Sequence, residues 1–198
     1  MIWGSLSRLG VAAALLSAVA DQALKLWLLF VFDLPARGAV RLTPFLDLVL
    51  IWNKGISYGL FQQDGPVGQW ALLALKIVAV ALLWIWLSRS NSRLTALSLG
   101  LIIGGAIGNG IDRIAYGAVA DFVLLHLTTG SFSFKWYVFN LADAAIVAGV
   151  AGLLYDSLAR RPPQNSPDPD DNALGSGGGS PAQGGESPVQ NAGSRGPT

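Results

Sequence analysis

Four apolar runs, at about residues 9–32, 69–87, 94–111 and 138–155, constrain this chain more than any other feature. Each is close to the length, about 20 helical residues, that crosses a bilayer core. Composition agrees, with 52% hydrophobic and only 13% charged residues, where a soluble domain has about 25% charged. The sequence therefore predicts an all-α membrane protein built on a bundle of four transmembrane helices. Residues 1–158 form that membrane domain, and residues 159–198, rich in Pro, Gly and Ser, form a tail that cannot bury a core and is expected to be disordered.

The first run competes with a secretory signal peptide, because Ala18-Val19-Ala20 has the small-x-small form of a cleavage site after Arg8 and an apolar stretch. The apolar run resumes at once at 24–32, which a mature soluble protein would not do, so an uncleaved span is favoured. Trp70 near one end of the second run, and Trp84 and Trp86 near the other, suit an aromatic belt. Lys76 lies about two turns into that run and either faces the bundle or snorkels.

Four spans place both termini on one side. Arg8, Arg89, Arg93, Arg160 and Arg161 fall there, against Arg37, Arg41, Lys54, Arg113 and Lys135 opposite, five on each side. The rule weights short loops near span ends, and the short connection at 88–93 carries Arg89 and Arg93 without an acid, which favours cytoplasmic termini.

The two longer connections carry β signals. Residues 40–52 are rich in β-formers with partial alternation, and residues 53–59 read as a turn or loop. In 114–137, Phe132, Phe134 and Trp136 alternate with Ser131, Ser133 and Lys135, the pattern of a half-buried strand. Gly100, Gly104, Gly105 and Gly108 in the third run permit close helix packing.

Exclusions are useful. A net charge of +1 argues against a nucleic-acid partner, and the absence of Cys excludes thiolate chemistry and disulfides. A single His, His126, makes a catalytic metal unexpected; it reads as a surface residue near a loop.

Ionisable groups inside apolar runs are costly and point to function or to pairing. Asp21 and Lys25, at i and i+4, share a helix face and can neutralise each other. Asp112 and Arg113 end the third run, Asn140 and Asp143 open the fourth three residues apart, and Asp121 lies between. If these runs are antiparallel neighbours, the groups gather at one membrane interface. Two close Asp side chains do not both ionise easily, so one keeps its proton and the pair supplies a general base and a general acid. The blander account is helix capping and ion pairing with Arg113, Lys54 and Lys135. From the residues alone, peptidase, transporter and scaffold all stay open.

Asp21-Gln22-x-x-Lys25, Asn53-x-Gly55, Gly108-Asn109-x-x-Asp112-Arg113, Val119-Ala120-Asp121-Phe122 and Phe139-Asn140-x-Ala142-Asp143 occur in this order. Together they closely resemble lipoprotein signal peptidase, the type II signal peptidase family of bacteria, over about residues 10–156. Ile56 and Tyr58 depart from the family's usual small residue and Phe. The resemblance implies an aspartic endopeptidase of the inner membrane, without metal or cofactor. Such an enzyme removes signal peptides from prolipoproteins, cutting before the diacylglyceryl-modified cysteine, and is blocked by the cyclic peptide globomycin. By motif position Asp121 and Asp143 would be catalytic, and Asn53, Gly55, Asn109, Arg113 and Asn140 would bind substrate. Asp21, Lys25, Asp112 and Ala142 would support them. The strands would form a small sheet at the outer leaflet. The partners implied are the lipidated substrate and the bilayer, and a monomer is expected.

Overall fold

The computed structural model describes residues 3–55, 66–130 and 132–159. The expected loop at 53–59 is described only to Gly55; Ile56, Tyr58 and the tail from 160 onward lie outside the described residues. Helix α1 (Ser7–Leu26) continues through a π-type turn (Trp27–Val31) and is followed by the short α2 (Leu34–Arg37). Strands β1 (Val40–Thr43) and β2 (Leu46–Asn53) precede α3 (Pro66–Ser88) and α4 (Arg93–Tyr116). Strands β3 (Val119–Thr129) and β4 (Phe132–Lys135) lead into α5 (Leu141–Ala159).

Helix α4 is the hub, packed most extensively against α1 and α5 and less against α3. Its small residues make this possible. A methyl group at Gly104 would meet the backbone of Ala14 on α1, and one at Gly105 the backbone of Ala142 on α5. Backbones at this separation leave no room for side chains, so glycine is required and dispersion contacts hold the helices. The glycine run thus serves helix packing.

Large apolar side chains remain exposed around the helices, among them Leu16, Val19, Ile77, Leu82, Val147 and Leu154. An apolar surface this wide suits hydrocarbon and not water. Among the described residues, three helices are long and apolar enough to cross a membrane: Ser7–Val31, Arg93–Tyr116 and Leu141–Ala159. Among the described residues, α3 also contains the apolar helical stretch Leu73–Ser88.

The four strands form an antiparallel sheet in sequence order, β1-β2-β3-β4. Phe122 turns inward from β3 and packs with Leu28 and Leu34, so the sheet is seated on the end of α1. A register shift between Leu48 and Ile51 brings Ile51 opposite Asp121 and Asn53 opposite Val119.

Several expectations need correction. Helix α4 runs on to Tyr116, which puts Asp112 and Arg113 within its last turns, and Gly117 (φ 71°) stops it in the left-handed conformation. Strand β4 is exposed along its whole length and not half-buried, being an edge strand with only β3 beside it. His126 is no free surface residue. It lies on β3 with its side chain 9% exposed, its Nε2 3.1 Å from Asp47 Oδ2.

Candidate active site

Two polar layers lie where α1, α4, α5 and β3 converge. In the lower one Lys25 Nζ sits 2.8 Å from Asp21 Oδ2 and 2.7 Å from Asp112 Oδ2, and donates to Asn109 Oδ1 at 3.1 Å. All three ionic side chains are at most 2% exposed. Gln22 Nε2 donates to Asp21, to Asp112 and to the Gly108 carbonyl. Backbone N–H groups add to this, Ala142 N donating to Asp21 Oδ1 at 2.9 Å and Ala120 N to Asp112 Oδ2 at 3.1 Å, the oxygen that also faces Lys25. Buried charges persist when paired and fully hydrogen-bonded, and this triad satisfies both conditions. The pairing of Asp21 with Lys25 follows from their spacing. Asp112, however, pairs with Lys25 from another helix and not with its neighbour Arg113, since adjacent helix residues point to different faces.

The upper layer contains Asn53, Asn109, Asp121, Asn140 and Asp143. Asn140 Nδ2 donates to Asp121 Oδ1 at 2.6 Å and to Asn109 Oδ1 at 3.0 Å. Asn53 Nδ2 reaches Asp121 Oδ2 at 3.0 Å, and Asn109 Nδ2 reaches Asp143 Oδ1 at 2.8 Å. Asn140 is the residue before α5 and caps it. Its Oδ1 accepts the Asp143 N–H at 3.0 Å, while Asp143 Oδ2 accepts the Asn140 N–H at 3.2 Å. This reciprocal cap satisfies two orphan donors of the helix start and fixes the Asp143 carboxylate at once. Gly55 N–H donates to Asn53 Oδ1 at 3.0 Å, and Arg113 Nη2 donates to the Gly55 carbonyl at 2.7 Å.

All eleven residues singled out from the sequence therefore meet in these two layers. Two contributors, both noticed in the sequence, were not assigned to the site there. Gln22 bridges both acids of the lower layer, and its only signal is a polar residue beside Asp21 in an apolar run. Lys76 borders the cavity of the upper layer; its signal is a lone cation in the second run, whose facing a single residue does not reveal.

That cavity, about 160 Å³, is lined by Asn53, Lys76, Asn109, Arg113, Asp121 and Asp143, with Gly55, Val119, Tyr137 and Ile146 completing the wall. Water occupies about 30 Å³ per molecule in the liquid, so the space holds several waters or a short stretch of peptide backbone. An apolar groove of about 380 Å³, with Leu125, Trp136, Phe139 and Val147 in its wall, adjoins it at Asp143. Larger grooves of about 670 and 570 Å³ lie against α1 and α4 and have no titratable lining.

Burial pushes the Asp121 carboxyl up to about 6, and the nearby charge of Asp143 adds to this. The amides of Asn53 and Asn140 and the charge of Lys25 oppose it without cancelling it. A carboxylic acid and a second carboxylate in one cavity with room for water can pass a proton to and from water or a leaving group.

Residues 13–159 match the family model described as signal peptidase (SPase) II. The chain belongs to the signal peptidase II family. Relatives within it include the lipoprotein signal peptidase of Nitrobacter hamburgensis, 64% identical over 160 residues, which are 81% of this chain and 98% of that protein. The lipoprotein signal peptidase of Methylorubrum extorquens is 55% identical over 171 residues, 86% of this chain and 95% of that one. A solved bacterial membrane enzyme shares the fold with a TM-score of 0.58 at 21% identity, over 79% of this chain and 94% of that chain. In this member of the signal peptidase II family, the matched segment contains every residue of the two polar layers.

Proposed function

We propose that the chain is a membrane aspartic endopeptidase that removes signal peptides from prolipoproteins, cutting before the diacylglyceryl-modified cysteine. Family membership supports the substrate class. One observation carries the mechanism: Asp121 and Asp143 line one cavity, each held by asparagine amides, and Asp121 keeps its proton up to about pH 6. Asp143 takes a proton from water, whose oxygen adds to the scissile carbonyl carbon while the carbonyl π pair moves to oxygen. Asp121 gives its proton to the amide nitrogen as the C–N bond breaks and the carbonyl reforms. Asn53, Gly55, Asn109, Arg113 and Asn140 orient substrate and carboxylates, and the triad Asp21–Lys25–Asp112, with Ala142, holds the elements together. The apolar groove beside Asp143 suits lipid chains or the apolar part of a signal peptide.

The enzyme works in the bacterial inner membrane with four spans, α1, α3, α4 and α5. Both termini face the cytoplasm, and the sheet and site lie towards the outer leaflet. The deciding assay incubates purified protein with a lipid-modified prolipoprotein. Cleavage by the wild type and its loss in both Asp121→Asn and Asp143→Asn is expected; normal cleavage by both variants would sink the dyad.

A further inference from the structure

Helix α3 carries one charged residue, Lys76, among 23 positions. An unpaired lysine within an apolar spanning helix is costly, so its presence there asks for a use. Lys76 is half-buried and borders the cavity that holds Asp121 and Asp143. Arg113 and Asp143 are its strongest charged neighbours. Among the described residues it makes no ion pair, in contrast to Lys25, which is saturated by Asp21, Asp112 and Asn109.

Arg113 is similarly underused. Its Nη2 donates to Gly55, but Nε and Nη1 are buried with no partner. The carboxylates do not need these donors. Both oxygens of Asp121 already accept from Asn53 and Asn140, and both of Asp143 from Asn109 and the Asn140 backbone. Two cations with unspent donors thus face a pair that carries one negative charge when one Asp is protonated. The cavity is left net positive and has room for one more negative charge.

We propose that Lys76 contacts the substrate: its ammonium, together with the free N–H groups of Arg113, receives the scissile carbonyl oxygen and holds the charge that develops there. This rests on the aspartic peptidase reading. When water adds to the carbonyl carbon and Asp143 takes its proton, the carbonyl π pair becomes an oxyanion facing Lys76. The pair returns to the C–O bond as the C–N bond breaks and Asp121 protonates the nitrogen. Lys76 neither gains nor loses a proton. Fixed donors aimed at developing charge supply about 10²–10³ in rate each, because they act in the transition state more than in the ground state.

The test measures initial rates of the full chain on a lipid-modified prolipoprotein, for wild type, Lys76→Met, Lys76→Arg and Asp121→Asn, with thermal stability in the same detergent. Lys76→Met is expected to lose about 10² in kcat, with KM within a few-fold of wild type and no loss of stability, since it removes a charge from an apolar helix. Lys76→Arg is expected to recover part of that kcat. A Lys76→Met enzyme with wild-type kcat, or one whose whole loss lies in KM, overturns the role. If the wild type does not cleave, or Asp121→Asn cleaves normally, the peptidase reading fails and this role falls with it. If those two behave as expected and Lys76→Met keeps its kcat, Lys76 alone is wrongly assigned.

Discussion

Asp121 lies under opposing influences, burial and Asp143 raising it to about 6 while the Asn53 and Asn140 amides pull downward. The folded chain holds this proton up to about 6, whereas an unfolded Asp releases it near 3.8. The group's favourable contribution to folding is therefore complete below 3.8 and is lost as pH rises to about 6. For activity, a monoprotonated pair loses its acid on the alkaline side, with apparent values that belong to the pair. Bound substrate displaces water and deepens the desolvation, so the alkaline limb of kcat is expected at higher pH than that of kcat/KM. Asn53→Ala removes a donor to the charged form and is expected to move the alkaline limb of kcat/KM upward. A pH profile in which that limb stays put or moves down would refute the assigned acid. How much of the site is legible in the sequence depends on reach. Asp21 and Lys25, or Asn140 and Asp143, are close in sequence and on one helix face, so their pairing can be read. The bond from Asn53 to Asp121 spans 68 residues, and only the sheet register that sets Asn53 opposite Val119 brings them together.

Among elements, α4 decides whether the two polar layers form at all, because α1 and α5 both rest on its glycines. Gly104→Leu is expected to force α1 away and to destabilise by at least the 1–3 kcal/mol usual for overpacking, read as a lower unfolding midpoint in detergent and lost cleavage. Gly110 is the internal control, since a methyl there meets nothing within 4 Å. Gly110→Ala is expected to be neutral or to stabilise by up to about 1 kcal/mol through helix propensity; a loss comparable to Gly104→Leu would show that helix backbone, and not the α1 contact, is at issue. Lys25→Met leaves Asp21 and Asp112 buried without their cation. A cost of about 3–5 kcal/mol is expected, and a variant with unchanged thermal stability would refute the triad's structural role. The helices are legible as apolar runs, but β3 is not. Val119–Thr129 has apolar residues on both faces, with Phe122 on the core beneath and Leu125 and Leu127 exposed, so strict alternation is missing.

For the whole molecule, the count of spans turns on α3. The helix has 23 residues, with Lys76 its one charged residue. At 1.5 Å per residue, 23 residues reach about 35 Å, enough for a hydrocarbon core of about 30 Å. Exposed Trp70 and Trp86 near its two ends fit the two interfaces. If α3 and α4 both span, the sheet and the 88–93 connection lie on opposite sides; the pairing of β2 with β3 rules out a spanning α4 beside an α3 that does not span. The chain has no Cys, so single cysteines report without background. Arg41→Cys on exposed β1 and Asn91→Cys in the exposed connection differ by α3 alone. In spheroplasts, a membrane-impermeant maleimide is expected to label Arg41→Cys at once and Asn91→Cys only after lysis. Labelling of both before lysis would refute the four-span arrangement, and with it the place of Lys76 in the membrane.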